Sequence, residues 1–110
     1  MSYRFYLSAA AWVLAMTAIL PVMSQAATPE GIAAGAGCSA CHAPDKKLLG
    51  PSYRDIAAKY KDNPKAASTL AAKVRSGGSG AWGAVPMPPA DAKKIGDADL
   101  NAVIAWILKP

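Results

Sequence analysis

Hydrophobic and polar positions recur with a helical period over most of this chain, and no stretch has the two-residue alternation of a strand. The clearest stripe is Leu100, Val103, Ile104, Ile107 and Leu108, spaced i, i+3, i+4, i+7 and i+8, which predicts a terminal amphipathic helix. Asp97 is placed to cap it, Asp99 complements its positive end, and Trp106 falls at the edge of the stripe. At about 12 residues this helix is too short to stand alone, so its apolar face must pack on other helices or on a cofactor.

Three further helices follow from the same reasoning. From Ser52 to Tyr60 the stripe is Tyr53, Ile56, Ala57 and Tyr60, with Arg54, Asp55, Lys59 and Lys61 facing away. Asp62-Asn63-Pro64 breaks the chain and starts another helix, from about Lys65 to Arg75, with Ala67, Leu70, Ala71 and Val74 inward. Gly77 and Gly78 stop it by adopting positive φ. Thr28-Pro29-Glu30 supplies a cap, a first-turn proline and a first-turn acid for a short helix ending near Cys38. Gly31, Gly35 and Gly37 weaken that helix in isolation, and close packing is the use expected of them.

The first 27 residues read differently. Arg4 is the only charge before Glu30, and the apolar run Leu7 to Leu20 leads to Pro21 and the small-residue end Ser24-Gln25-Ala26-Ala27. This is the order of a secretory signal peptide, cut after Ala26 or Ala27, with the domain spanning 28–110. An uncleaved membrane anchor is the rival reading, since Tyr6 to Met23 is nearly apolar. Pro21 and the cleavage-like residues beyond it oppose that reading.

A domain of about 83 residues gains only marginal stability from burial. A disulfide between the two cysteines would close a very short loop and add little, so a large apolar cofactor meets the need better. Setting Arg4 aside, 11 basic residues face 7 acids, and the exported chain is near +4. The lysines and arginines are scattered, as on a solvated surface, with docking to an acidic partner as the second reading. Export and sparse aromatics argue against nucleic acid.

Cys38-Ser39-Ala40-Cys41-His42 is a C-x-x-C-H motif, the signature of covalent haem attachment: two thiols for the vinyl groups and an adjacent imidazole for the iron. A dithiol redox site would need a strand before the motif and a helix after it. Structural zinc would need a fourth ligand, for which only Asp45 offers itself. Leu49-Gly50-Pro51 lets the chain turn close to His42, where a backbone carbonyl can take the Nδ1 proton and leave Nε2 for iron. Between Gly77 and Ile95 lies a loop too long to be idle in so small a domain. Within it Met87, the only methionine after the first 27 residues, sits between Pro86 and Pro88, about 45 residues beyond His42. Core filling and iron ligation both suit a methionine, and the stiff proline frame favours ligation. A thioether ligand favours reduced iron and raises the potential. Trp82 has an N–H suited to a haem propionate, with plain core packing as the alternative.

Taken with Gly50-Pro51-Ser52-Tyr53-Arg54-Asp55-Ile56-Ala57-Ala58-Lys59-Tyr60 and Gly80-Ala81-Trp82-Gly83-Ala84-Val85-Pro86-Met87-Pro88-Pro89, these residues resemble the class I bacterial cytochromes c, in particular the cytochrome c-551 (cytochrome c8) group. The resemblance covers Thr28 to Pro110. It implies an all-α fold of four short helices around one haem c, with Cys38 and Cys41 as thioethers and His42 and Met87 as axial ligands. It further implies that the Pro51 carbonyl supports His42 and that Trp82 and Lys73 contact the inner propionate. The implied function is that of a monomeric periplasmic electron carrier and not an enzyme. A donor such as a cytochrome bc1 complex and an acceptor such as nitrite reductase or a terminal oxidase go with it. Two departures stand out. Ala90 occupies a position where the family often has an asparagine whose amide contacts the methionine sulfur, which implies a less constrained loop, and Ala84 replaces a common proline. A haem protein that senses a small ligand or scavenges peroxide is the rival function, and it needs an open iron face or a labile Met87.

Overall fold

The computed structural model describes residues 18–21 and 27–109. Apart from residues 18–21 and 27, the expected signal peptide lies outside the described residues. Four α-helices follow in chain order: α1 (Pro29–Gly35), α2 (Tyr53–Tyr60), α3 (Ala66–Ser76) and α4 (Asp97–Ile107), with a single 3-10 turn at Cys38–Ala40. Among the described residues there is no strand, only two isolated bridges, His42 with Lys47 and Gly78 with Met87. The all-α class with four short helices is therefore observed. No helix among the described residues is long and apolar enough to cross a membrane.

The helix ends obey local chemistry. Thr28 accepts a hydrogen bond from Gly31 N–H at 3.1 Å and starts α1, while Ser52 accepts from Asp55 N–H at 3.0 Å and starts α2. Gly77, at φ +63°, ends α3 as expected. At α4 the expectation fails in one respect: Gly96 occupies the N-cap, and Asp97 lies inside the first turn. Its carboxylate accepts from Arg75 at 2.6 Å instead of capping its own helix.

α4 is the hub, and α1, α2 and α3 all pack against it. Leu100, Val103 and Ile104, each at most 3% exposed, meet Ala33 of α1 and its C-cap Ala36 together with Ile95 and Ala90. Leu70, Ala71 and Val74 of α3 pack at the edge of this cluster. The inward phase of α3 begins one residue earlier than the sequence suggests. Ala66 is 6% exposed and Ala67 faces solvent, because the buried row runs 66, 70, 74 at steps of four.

The glycines of α1 correct a second expectation. A Cβ at Gly35 would touch nothing within 4 Å, and one at Gly31 would meet only the Thr28 cap, at 3.1 Å. Close packing of α1 on α4 is achieved by the small side chains of Ala33 and Ala36. Gly35→Ala is therefore expected to stabilise the domain by about 0.4–1 kcal/mol, whereas Ala33→Leu, at a residue 1% exposed, overpacks the α1–α4 contact and costs about 1–3 kcal/mol. Urea denaturation of the two variants beside the parent checks both signs.

Candidate functional site

Gly37, at φ +86°, turns the chain out of α1 and into the 3-10 turn that bears the first cysteine. Cys41 N–H and His42 N–H both donate to the Cys38 carbonyl, at 3.1 and 2.9 Å, so the turn gathers both thiols and the imidazole. The two cysteine sulfurs are half-buried and form no disulfide. Burial pushes the Cys38 thiol up, with a backbone hydrogen bond and Lys94 only partly offsetting it.

His42 is oriented by its surroundings. Its Nδ1 lies 2.7 Å from the Pro51 carbonyl, which can only accept, so Nδ1 carries a proton and, in the neutral ring, Nε2 is the nitrogen with the lone pair. The Leu49-Gly50-Pro51 turn folds back through a Gly50 N–H bond to the Cys41 carbonyl at 2.8 Å. Gly50 lies against the imidazole so closely that a Cβ there would stand 2.7 Å from His42 Cε1. Tyr53 stacks on the imidazole, ring centroids 5.7 Å apart, and Trp106 meets Tyr53 edge-on at 5.1 Å. The Tyr53 hydroxyl is buried, with no hydrogen-bond partner among the described residues. Burial first, and then the nearby Cys38 and Glu30, push it up to about 12.

The Met87 loop is held on both sides. Met87 and Gly78 exchange two backbone hydrogen bonds, each 2.9 Å, and Ala90 N–H donates to the Val74 carbonyl at 2.9 Å. Gly77 makes the first of these approaches possible: a Cβ there would collide with the Met87 carbonyl oxygen and come within 2.8 Å of Pro89 N. Ala90 is buried in the core cluster, and its carbonyl accepts from Arg75 at 3.2 Å. The loop backbone is thus anchored without the amide that the family resemblance would put at this position.

All seven residues singled out in the sequence for attachment, ligation or propionate contact line one cavity of about 500 Å³. That volume falls within the ~300–1,000 Å³ usual for cofactor sites, and most of the lining is apolar. The helix faces supply it through Ile56, Leu70, Val74, Val103 and Ile104. Trp82 stands at the cavity, 41% exposed. Lys59 holds this segment, its Nζ 4.5 Å above the Trp82 ring and 2.8 Å from the Ala81 carbonyl. Lys59 and Arg75 belong to the scattered basic residues of the sequence, yet each donates to backbone carbonyls of this loop or its exit. The signal that could have found Arg75 is its place in the last turn of a helix that precedes a proline-rich segment short of backbone donors.

The rival zinc reading gains no support from the geometry. Among the described residues no group of three or more His, Cys, Asp and Glu side chains is placed to hold a metal ion, and Asp45 is paired with Arg54 at 2.5 Å. A dithiol redox site fares no better, because a helix and not a strand precedes Cys38.

A cavity of this size beside two thiols, with a free imidazole nitrogen and a thioether in its walls, fits a covalently bound haem. Comparison with known proteins agrees. Residues 30–109 match the cytochrome c family, and the chain belongs to it as a class I bacterial cytochrome c, closely related to the c-551 and c-552 proteins. It is similar to cytochrome c2 of Rubrivivax gelatinosus, 51% identical over 83 residues that span 76% of this chain and 98% of that protein. It is also similar to cytochrome c-552 of Nitrosomonas europaea, 43% identical over 100 residues covering 89% and 94% of the two chains. The crystal structure of the wild-type Nitrosomonas europaea protein superposes with a TM-score of 0.64 at 47% identity, covering 70% of this chain and 93% of that one.

The cofactor is accordingly haem c, attached through two thioethers, and the chain is an electron-transfer protein and not an enzyme. Two glycine substitutions test how tightly the polypeptide is drawn around this site. Gly50→Ala is expected to displace the His42 ring and cut the yield of haem-loaded protein. Gly77→Ala, with positive φ as well as a backbone collision, should cost about 1–3 kcal/mol. Thermal unfolding and the visible spectrum of each purified variant report the two effects separately.

Proposed function

We propose that Cys38 and Cys41 carry the thioether links, and that His42 through Nε2 and Met87 through its sulfur are the axial ligands of the iron. The single observation that supports this most strongly is that both cysteines, the oriented imidazole and the only methionine after residue 27 line the same cavity. The Pro51 carbonyl fixes the ring of His42 by accepting from Nδ1. Trp82 and Lys73, which line the cavity as well, face the inner propionate in this reading. Haem c supplies a one-electron couple, and the polypeptide sets its potential, access and partners.

With His42 and Met87 both holding the iron, no site would be open for substrate, and the anchors of the Met87 loop would limit rearrangement between oxidation states. The protein therefore shuttles single electrons. We further propose that residues 1–27 are removed as a signal peptide and that residues 28–110 work in the periplasm as a monomer. There they take electrons from a donor such as a cytochrome bc1 complex and pass them to nitrite reductase or a terminal oxidase. The scattered lysines support brief docking to acidic faces through modest interfaces.

Visible spectroscopy of the exported protein tests the ligand set. The pigment should survive acid-acetone extraction, and the oxidised form should show the far-red band of iron bound to a methionine sulfur. Met87→Ala should abolish that band, lower the potential and admit carbon monoxide to the reduced protein, which the parent excludes. A parent that bound carbon monoxide readily at neutral pH would favour a ligand sensor over a carrier.

A further inference from the structure

The segment that follows Met87 is short of backbone donors. Pro88 and Pro89 have no N–H, so the first peptide after Met87 able to donate is that of Ala90. Ala90 is held at both ends: its N–H donates to the Val74 carbonyl at 2.9 Å, and its carbonyl accepts from Arg75 Nη1 at 3.2 Å. The same Nη1 donates to the Ile95 carbonyl at 2.8 Å, and Nη2 donates to the Asp97 carboxylate at 2.6 Å. One guanidinium thus joins the last turn of α3, the exit of the Met87 loop and the start of α4.

We infer that Arg75 is a positioning residue for Met87: by fixing the loop exit, its guanidinium sets how readily the thioether leaves the iron. The inference rests on Met87 being the distal ligand, as proposed above. Of the three contacts, the ion pair matters least, because the Asp97 side chain is 88% exposed and water screens it. The Arg75 side chain is 26% exposed, and its two bonds to backbone carbonyls join a charged donor to the buried residues Ala90 and Ile95. Lysine would keep the charge, but without the planar fork it cannot serve three acceptors in this arrangement. The clamp acts where the family resemblance would put an amide, and it holds the backbone, not the sulfur.

The test uses the exported holoprotein, with imidazole as a competing ligand for the oxidised iron. Arg75→Met and Arg75→Lys are each expected to bind imidazole about ten- to a hundredfold more tightly than the parent, losing the far-red band at correspondingly lower imidazole. Asp97→Asn should shift the affinity by less than about threefold. A purely structural role for Arg75 would lower the denaturation midpoint and leave imidazole affinity in native buffer unchanged. Unchanged affinity in both Arg75 variants, with the far-red band present in the parent, overturns the inference and leaves Met87 ligation standing. A parent without that band overturns both. Where Arg75→Met does not accumulate as holoprotein, Arg75→Lys decides the matter alone.

Discussion

Four short helices that cannot close a core of their own are the constraint on which this structure depends. α4 presents an apolar face broad enough for three neighbours, yet the tightly buried cluster around α1 and α4 holds only seven of the described residues. Val103 and Ile104 belong both to that cluster and to the cavity wall, so the hydrophobic interior continues without a break into the cofactor site. A haem c bound there becomes the rest of the core. This is why a domain of this size can be stable without a disulfide, and why attachment and folding are one problem for the chain.

The same constraint explains how the backbone is used around the site. Where an imidazole or a thioether must stand at the cavity, the neighbouring chain is brought up to near-contact and side chains are removed from its path. Gly50 lies against the His42 ring, and Gly77 lies against the Met87 and Pro89 backbone. On the histidine side a carbonyl, that of Pro51, selects the tautomer. On the methionine side no such selection is needed, and the task is only to restrain a loop, which backbone bonds and Arg75 do.

Features governed by local sequence could be read in advance, and features governed by tertiary contact could not. The stripe of α4, the capping of α1 by Thr28, the positive φ of Gly77 and the spacing of Cys38, Cys41 and His42 each depend on a few neighbouring residues. Met87 was legible because it has no competitor after residue 27, and proline frames it. The phase of α3 was not legible: Ala66 and Ala67 are chemically identical, and only the tertiary placement of the helix decides which is buried. Asp97 is a good cap in isolation, but a guanidinium 22 residues away in sequence takes its carboxylate. Arg75 and Lys59 looked like surface charge because nothing local distinguishes a solvated basic residue from one whose acceptors are carbonyls in a distant loop.

The distribution of charge then bears on the electron-transfer chemistry. Arg54 and Arg75 are each paired with an aspartate, so the positive excess resides with the lysines. Lys47, Lys73 and Lys94 line the cavity against a single acid, Asp55. Positive charge near the iron disfavours its oxidised form, the same direction as a thioether ligand and opposite to the two propionates. Lys47 and Lys94 are exposed and Lys73 is only half-buried, so water and salt damp their effect at the metal. A ligand in contact with the iron is not screened in this way. With His42 and Met87 as the proposed ligands, the axial pair would set the range of the potential, and the lysines would act mainly over longer distance, on the approach of a charged partner.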